Sequence, residues 1–241
     1  MRLDKALLER GLEASRSRAQ ELIKLGHVEV NGVLTTKVSR AVNPDDSLKI
    51  VGKTNPWVSR SAFKLVHGLE HFGYDPAQSV ALDVGASTGG FTEVLLAHGA
   101  AQVFALDVGH AQLHQTLKED ARVVNLEGRN AKDIDGNLLP LLDFIVSDVS
   151  FISLTKALPK PLSLARKGAK LIALIKPQFE VGRGHVGKGG IVKDTNAREI
   201  ACQEIDAFLR HLGWEVSGVT PSPITGSDGN VEFLIGACKS G

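Results

Sequence analysis

The most constraining feature of this 241-residue chain is a short apolar run that leads directly into a glycine-rich turn. Val80–Val84 has the composition of a buried strand, the turn covers residues 85–90, and a helical pattern of apolar residues begins at Phe91. Glycine lets a backbone approach a ligand closely, and a helix start presents unpaired N–H groups to it. A second apolar run, 101–106, ends at Asp107, where a carboxylate can bind ribose hydroxyls. The pattern predicts a site for a nucleoside-containing cofactor.

The spacing of the glycines favours one class of cofactor. A Rossmann oxidoreductase binds a dinucleotide through Gly-x-Gly-x-x-Gly, whose middle glycine allows the pyrophosphate to come close. Here the glycines are Gly85, Gly89 and Gly90, and the middle position is Ser87. This spacing suits S-adenosylmethionine, which has no pyrophosphate. We therefore favour a methyltransferase and keep a dinucleotide-dependent oxidoreductase as the alternative.

Apolar runs and helical patterns alternate from residue 79 onward. The predicted strands are 79–85, 101–107, 122–127, 143–149, 169–176, 214–220 and 231–237, and the predicted helices are 90–98, 110–118, 153–166 and 195–211. Such alternation predicts an α/β fold with a mostly parallel sheet covered on both faces. The last two strands flank a glycine-rich segment, 226–230, so we expect an antiparallel hairpin. A closing hairpin of this kind is typical of the Rossmann-like sheet of methyltransferases that use S-adenosylmethionine.

Four polar residues far apart in the sequence are predicted to meet at one edge of this sheet. Asp148 and Lys176 stand at the carboxyl ends of strands, where ligands of open parallel sheets bind. Glu232 opens the last strand, whose start lies at the same edge if that strand is antiparallel. Lys64 lies on a helix that directly precedes the sheet. A single charged residue at a strand end is usually only solvated, but four at one edge indicate a site.

The first sixty residues differ from the rest in pattern and in charge. Two short helices (one at 2–10, one capped by Ser15 or Ser17) precede a hairpin turned at Asn31-Gly32 and a strand at 47–51. We predict a small α+β domain at 1–54, a linker at 55–60 and the α/β domain at 61–241. Residues 1–64 contain 12 Lys and Arg against 7 Asp and Glu, whereas the remainder is acidic. This asymmetry favours an anionic partner at the front end over an ordinary solvated surface.

The front end resembles the S-four domain, a small RNA-binding module first seen in a ribosomal protein. The matching segments are Arg2–Asp4, Ser15–Ala19, Leu25–Val28 and Val30–Gly32. A rigid face of Arg and Lys suits the phosphates of structured RNA, which is recognised by shape more than by sequence. A later loop, 182–193, contains five glycines and three basic residues, so we expect a mobile lid that meets RNA, with a merely flexible loop as the alternative. The predicted RNA-binding residues are Arg2, Lys5, Arg16, Arg18, Lys24, Arg60, Arg183 and Lys188.

Over essentially its whole length the chain resembles the FtsJ (RrmJ) family of ribose methyltransferases. The specific segments are Trp57–Arg60, Asp83–Thr92, Ser147–Leu154 and Lys176–Glu180. Together with an S-four domain, the combination is similar to the TlyA group, also called hemolysin A, whose members methylate a ribose 2′-hydroxyl of cytidine in ribosomal RNA. The short front end is similar to the members that modify only the large subunit. The resemblance implies a cytoplasmic enzyme whose partner is ribosomal RNA or a ribosomal subunit.

The resemblance also implies roles for individual residues. The family's catalytic Lys-Asp-Lys-Glu set corresponds to Lys64, Asp148, Lys176 and Glu232. The implied cofactor contacts are Asp83, Gly85, Ala86, Ser87, Thr88, Gly89, Gly90, Phe91, Asp107, Asn130 and Asp148. We expect Lys176 to contact the acceptor hydroxyl, either as a general base or by orienting it, while Asp148 and Glu232 orient the two lysines. The sequence leaves both roles of Lys176 open.

Two other classes of function are less compatible with the sequence. A pore-forming hemolysin needs membrane-spanning segments, and no apolar run approaches the roughly 18 residues of a spanning helix. An RNA-binding assembly factor with a silent methyltransferase fold stays possible, although the catalytic set and the glycine turn are intact. The two cysteines, Cys202 and Cys238, are expected to be free thiols, and the eight histidines show no metal-ligand spacing, so we predict no metal.

Overall fold

The computed structural model describes residues 1–13, 16–51, 55–226 and 228–241, without the side chains of Ser17, Glu21 and Arg183. Within these ranges the chain forms two compact units, residues 1–56 and 57–241. Ser15, the cap function of Ser17 and residues 53 and 54 of the expected boundary lie outside the described part. The domain bounds given above, 1–54, 55–60 and 61–241, stay a prediction.

The first unit packs two helices against a small antiparallel sheet. Its elements are α1 (Leu3–Glu9), α2 (Arg16–Lys24), β1 (Val28–Val30), β2 (Val33–Thr35) and β3 (Leu48–Ile50). Strand β1 lies between the other two. Asn31 and Gly32 both have positive φ, at 54° and 78°, as the tight turn of a two-residue hairpin requires. Leu3, Leu7 and Ile23 are fully buried and form its core with residues of the sheet.

The second unit is built on a seven-stranded sheet within the described residues. Its strands are β4 (Val80–Val84), β5 (Gln102–Asp107), β6 (Val123–Glu127), β7 (Leu142–Ser147), β8 (Ala165–Ile175), β9 (Trp214–Pro221) and β10 (Phe233–Lys239). The strand order is β6-β5-β4-β7-β8-β10-β9. The first five are parallel, and β10 is antiparallel to both of its neighbours. The predicted α/β sheet with a closing hairpin is confirmed.

Helices cover both faces of this sheet. They are α3 (Ala62–Phe72), α4 (Gly90–Ala97), α5 (Gln115–Lys118), α6 (Leu154–Ala157), α7 (Pro159–Ser163), α8 (Pro177–Glu180) and α9 (Thr195–His211). Successive residues of the central strands enter different cores, since Ile145 belongs to one apolar cluster while Phe144 and Val146 belong to the other. The buried runs of the sequence are therefore strands buried from two sides.

Two predicted helices are wrong in extent. The helix expected at 110–118 is only α5, because the backbone N–H groups of Gln112 and Leu113 donate to the Glu127 carboxylate instead of forming a helical turn. These bonds and one from Asn125 outweigh burial and lower the pKa of Glu127 to about 2. The helix expected at 153–166 is divided into α6 and α7 at Pro159, which occupies the first turn of α7 and cannot continue α6.

The sheet brings four strand ends to one edge. Strands β4, β7 and β8 are parallel, so their carboxyl ends coincide. Phe233 at the start of β10 pairs with Ile175 at the end of β8. Residues that directly follow β7 and β8 and the residue that precedes β10 therefore lie close together, as the sequence predicts.

Candidate active site

The glycine turn after β4 requires its glycines for two different reasons. Gly85 and Gly89 have φ of 86° and 96°, values that L-residues with a side chain rarely adopt. Gly90 is needed for space, because a Cβ there would lie 2.5 Å from Ser61 Oγ and 3.0 Å from Ser59 Cβ. The segment before α3 thus packs directly on the N-terminus of α4. The side chain of Glu93 strengthens this contact by accepting a hydrogen bond of 2.6 Å from the Val58 N–H.

Asp107, at the end of β5, holds the shape of the turn. Its Oδ2 accepts a hydrogen bond from the Ser87 N–H at 2.8 Å, and its Oδ1 accepts one from the Gly109 N–H at 2.7 Å. Each carboxylate oxygen has a second lone pair for another donor. The half-buried Asp107 can therefore keep both loops in place and still accept hydrogen bonds from ribose hydroxyls.

A cavity of about 500 Å³, here called the glycine-turn cavity, opens beside Asp107. It is lined by Val84, Gly85, Ser87, Leu106, Asp107, Val108, Gly109, Gln112, Arg129, Asn130, Ala131, Asp148, Val149, Ser150, Phe151, Ile152 and Ala157. The apolar residues suit a nucleobase and the polar ones suit a ribose, and the volume is that of a small-molecule site. Asn130 lines this cavity, and its role as a cofactor contact stays a prediction; Arg129 and Gln112 line it as well and were not among the predicted contacts.

Asp83 does not line this cavity, although it belongs to the predicted cofactor contacts. It is fully buried below the turn, where Oδ2 accepts a hydrogen bond of 2.7 Å from Thr92 Oγ1. Its Oδ1 has no hydrogen-bond partner among the described residues. Burial raises the pKa of Asp83 to about 7, repulsion from Asp148 and Asp107 adds to the rise, and the bond from Thr92 opposes it. Asp83 supports the turn from below.

The four predicted catalytic residues form one connected cluster. Lys64 Nζ lies 2.6 Å from Glu232 Oε2 and 3.9 Å from Asp148 Oδ2, and Lys176 Nζ lies 2.7 Å from Asp148 Oδ1. Lys64, Lys176 and Glu232 are buried. Buried charges are stable only when they are paired with good geometry. Each lysine has a carboxylate oxygen within 2.7 Å, although Asp148 Oδ1 contacts Lys176 as an ion pair and accepts no hydrogen bond from the described residues. Lys176 lines two of the cavities described below.

Ser150 is a member of this cluster that the sequence reasoning missed. Lys176 Nζ donates to Ser150 Oγ at 2.7 Å and to the Asp148 carbonyl oxygen at 3.4 Å. Ser150 therefore helps Asp148 to hold the Lys176 amino group in position. Its spacing of two residues from Asp148, in the loop after β7, was the available signal.

Two further cavities adjoin the cluster. A cavity of about 560 Å³, here called the strand-end cavity, is lined by Ser59, Arg60, Ser61, Lys64, Asp148, Ser150, Phe151, Lys176, Gln178, Phe179, Val186, Gly189, Gly190, Gly226, Asp228 and Glu232. A smaller one of about 180 Å³, the connecting cavity, is lined by Ser59, Ser61, Gly85, Ala86, Ser87, Thr88, Phe91, Asp148, Ser150 and Lys176. Asp148 and Ser150 line all three cavities. The cluster thus stands where two ligand-sized spaces meet.

An exposed aromatic residue marks the boundary between the two large cavities. Phe151 is 91% exposed, has a positive φ of 66°, and lines both of them. Its ring lies 5.2 Å from that of Phe179, centroid to centroid. A positive φ is uncommon for a residue with a side chain and is often found at functional sites, and the exposed ring offers an apolar surface to ligands in either cavity. Nothing in the sequence pattern distinguished Phe151 from a core phenylalanine.

The predicted RNA-binding residues divide between the two units. Arg2, Lys5, Arg16, Arg18 and Lys24 belong to the first unit, and Arg60, Arg183 and Lys188 belong to the second. Buried Asp4 accepts hydrogen bonds from Arg2, Gln20 and Arg16, and these hold the pKa of its carboxyl well below the usual range. Arg2 and Arg16 remain half-exposed and are oriented by the same carboxylate. Lys5, Lys24 and Lys188 are exposed, Arg60 lines the strand-end cavity, and the side chain of Arg183 lies outside the described part.

Comparison with known proteins was made in sequence and in structure. The profile of the FtsJ-like methyltransferases matches residues 57–239, and that of the S4 domain matches residues 1–48. The chain is 44% identical to the 16S/23S rRNA (cytidine-2′-O)-methyltransferase TlyA of Mycobacterium tuberculosis, over 97% of this chain and 88% of that protein. It is 43% identical to hemolysin A of Brachyspira hyodysenteriae, over 97% and 98%. It is 35% identical to the 23S rRNA (cytidine-2′-O)-methyltransferase TlyA of Campylobacter jejuni, also over 97% and 98%.

Solved structures show the same fold. A putative hemolysin from Streptococcus thermophilus superposes with a TM-score of 0.81 at 36% identity, over the whole of this chain and 88% of that one. A putative S-adenosylmethionine-dependent methyltransferase from Listeria monocytogenes reaches 0.57 at 16% identity, over 76% of this chain and all of that one, which shows the fold alone. In the part of the chain that the structure describes, we find no helix long and apolar enough to cross a membrane.

The sheet order, the glycine turn and the joined cavities together define a Rossmann-like methyltransferase. The alternative of a dinucleotide-dependent oxidoreductase is thereby set aside. The chain belongs to the FtsJ-like methyltransferase family and, with its S4 domain, to the TlyA group within it. The family resemblance read from the sequence is confirmed.

Proposed function

We propose that this protein transfers the methyl group of S-adenosylmethionine to the ribose 2′-hydroxyl of a cytidine in ribosomal RNA. The observation that carries the proposal is the position of Asp148 and Ser150 on all three cavities, beside Lys176. A methyl donor in one cavity and an acceptor nucleotide in the other would meet at this cluster. Two relatives that span nearly the whole chain are named as cytidine 2′-O-methyltransferases.

The glycine-turn cavity has the features that S-adenosylmethionine needs. Asp107 offers carboxylate lone pairs for the ribose hydroxyls, and Val108, Ala131 and Ile152 offer apolar contacts for the adenine. Gly85 lines this cavity and lets the loop after β7 come close, because a Cβ there would lie 3.1 Å from the backbone and side chain of Val149. When bound, this cofactor supplies an activated methyl group, so that the protein has to align the acceptor rather than activate the donor.

The four clustered residues would act on the acceptor. Lys176 Nζ would contact the ribose 2′-hydroxyl, while Asp148 and Ser150 hold that ammonium group in place. Glu232 and Lys64 form a second buried pair that keeps the Asp148 carboxylate oriented from its other side. Such positioning lowers the entropic barrier to an in-line transfer, which is the main requirement for an activated donor.

The RNA partner is supported by the S4 domain and by charge. The basic residues of the first unit, the exposed Lys188 and the lining residue Arg60 are suited to phosphate groups. We place the modified cytidine in the RNA of the large subunit, because 23S RNA is common to the names of both methyltransferase relatives. We accordingly place the protein in the cytoplasm, where ribosomal subunits are assembled.

The proposal is tested by methyl transfer to ribosomal subunits from cells that lack the protein. Purified protein and tritium-labelled S-adenosylmethionine are incubated with separated large or small subunits, and the modified nucleotide is mapped. We expect stoichiometric labelling of one cytidine ribose in large-subunit RNA. Tight binding of the subunits without any transfer would instead identify an RNA-binding assembly factor, and labelling of the small subunit alone would overturn the choice of subunit.

Asp107→Asn is expected to weaken cofactor binding by at least about tenfold. An amide offers only one acceptor atom, so its NH₂ would face the N–H of either Ser87 or Gly109, and the turn would lose its shape. Titration calorimetry with S-adenosylhomocysteine measures the dissociation constant. Asp75→Asn is the matched control, because Asp75 is exposed and lines none of the three cavities. An affinity within twofold of the wild-type value would show that Asp107 does not bind the cofactor.

A further inference from the structure

We propose that Asp228, oriented by Gln178, selects the base of the acceptor nucleotide by accepting a hydrogen bond from the exocyclic amino group of cytosine. This inference rests on the proposed function, because it assumes that a ribose lies at Lys176. The base attached to that ribose would then occupy the remainder of the strand-end cavity, which both residues line. The residue pair would make cytidine a better acceptor than uridine.

Asp228 lines the strand-end cavity and forms no ion pair with the described residues. The other lining carboxylates, Asp148 and Glu232, are paired with lysines. Asp228 instead accepts hydrogen bonds from the Asn230 N–H at 3.0 Å and from Asn230 Nδ2 at 2.8 Å. Burial raises the pKa of Asp228, but these bonds more than offset it, and the net pKa lies below the usual value. Asp228 is therefore an ionised acceptor at neutral pH, and with three donors bound it keeps one lone pair for a ligand.

Gln178 orients the Asp228 carboxylate. Its Nε2 donates to Asp228 Oδ2 at 3.3 Å, which fixes the orientation of the amide because Asp228 can only accept. Gln178 Oε1 is buried and has no hydrogen-bond partner among the described residues, so it does not face the cavity as an acceptor. Gln178 is therefore a positioning residue for Asp228.

The backbone holds Asp228 close to the catalytic cluster. A Cβ on Gly226 would lie 2.6 Å from Glu232 Oε1 and 2.8 Å from Asp228 Oδ1, so both carboxylates flank the same glycine. Buried Asn230 joins this loop to the preceding one, since its Oδ1 accepts from the Val192 N–H and its Nδ2 donates to the Gly190 carbonyl. Asp228 therefore lies close enough to Glu232 for one bound nucleotide to contact both residues.

The chemistry of the pyrimidines gives the direction of the selection. Cytosine carries an amino group with two donors at the position where uracil carries a carbonyl acceptor, and carboxylates are natural acceptors for that amino group. Uracil would place its carbonyl oxygen against the Asp228 carboxylate, so two acceptors would meet without a hydrogen atom between them. A site built on hydrogen bonds rejects such an analogue strongly, because its own polar groups lose their partners.

The test compares cytidine and uridine at the nucleotide that the wild-type protein modifies. Large subunits reconstituted with RNA that carries either base at this position are methylated by wild-type protein and by Asp228→Asn and Gln178→Met, and kcat/KM is measured for each. We expect the wild-type protein to prefer cytidine by about tenfold or more. Asp228→Asn should lose most of this preference and gain activity on uridine, because its amide can donate to the carbonyl. Gln178→Met should lose preference without that gain.

The ratio of the two rates separates base selection from damage to the fold. A merely structural role would lower both rates together and leave the ratio unchanged, as we expect for exposed Asp75→Asn, which should also leave both rates unchanged. A cytidine preference that persists within twofold in both variants would overturn the inference while the proposed function stands. Equal wild-type rates on both RNAs would overturn it as well. Absence of transfer to the cytidine RNA would overturn the proposed function and this inference with it.

Discussion

Replacing Lys176 with methionine is expected to lower methyl transfer at saturating cofactor by about a thousandfold. Methionine has a similar length and apolar stem but no group that can contact the acceptor hydroxyl. The Lys176 ammonium group lies 2.7 Å from both Asp148 Oδ1 and Ser150 Oγ, so its position is defined before any substrate binds. Positioned acid–base groups of this kind contribute two to four orders of magnitude to a rate. Single-turnover transfer to large subunits is the measurement.

The same variant needs a check on folding, because it leaves the Asp148 carboxylate with one lysine fewer. Breaking a half-buried ion pair can cost several kcal/mol of stability. Calorimetry with S-adenosylhomocysteine should therefore show retained cofactor binding, and thermal unfolding should show a folded protein at the assay temperature. Lys167→Met is the matched control, since Lys167 is an exposed residue of β8, the strand that Lys176 directly follows. A Lys176→Met protein that keeps more than a tenth of the wild-type rate would remove Lys176 from the catalytic residues.

Replacing Asp83 with asparagine is expected to remove much of the pH dependence of stability between pH 5 and pH 8. The pKa of Asp83 is about 7 in the folded protein, compared with 3.8 for an unperturbed side chain. Between these values the folded protein binds more protons than the unfolded chain, so the free energy of unfolding falls as the pH rises and levels off above pH 7. A difference of this size corresponds to about 4 kcal/mol at pH 8. Asparagine cannot ionise and still accepts the bond from Thr92.

Urea unfolding at pH 5, 6, 7 and 8 measures this effect as the difference between wild type and variant. The pKa of Glu180 is also raised by burial, so a part of the slope with the same sign should remain in Asp83→Asn. The lowered pKa values of Asp4 and Glu127 affect stability only at more acidic pH, outside the window. Asp75→Asn serves as the control with an unchanged slope. Parallel curves for wild type and Asp83→Asn would show that Asp83 is already ionised in the folded protein.

The sequence alone was sufficient for the elements whose causes are local. The strand that leads into the turn at 85–90 is signalled by residues that are adjacent in the chain, and the Asn31-Gly32 hairpin needs only the positive φ of two residues. Helix α9, Thr195–His211, has the same bounds as its sequence prediction because Asp194 caps it and an apolar stripe runs along it. The shortened α5 was not predicted because contacts with the distant Glu127 carboxylate decide it. The division at Pro159 has a local cause, the missing N–H of proline, which the sequence prediction did not take into account.

The candidate site shows the same division between local and tertiary causes. The sequence predicted which residues form the cluster, because the strand ends of an α/β sheet converge and the neighbouring sequence motifs are specific. These residues are Lys64, Asp148, Lys176 and Glu232. The pairing of these residues could not be predicted, since Lys64 and Glu232 are 168 residues apart and come into contact only in the folded sheet. The burial of Asp83, the bond from Lys176 to Ser150 and the orphaned oxygen of Gln178 likewise depend on distant backbone. Turns and helical or strand periodicity are determined by residues that are neighbours in the chain. Ion-pair partners, burial and the hydrogen bonds of buried polar atoms are determined only when the folded sheet brings its strand ends together.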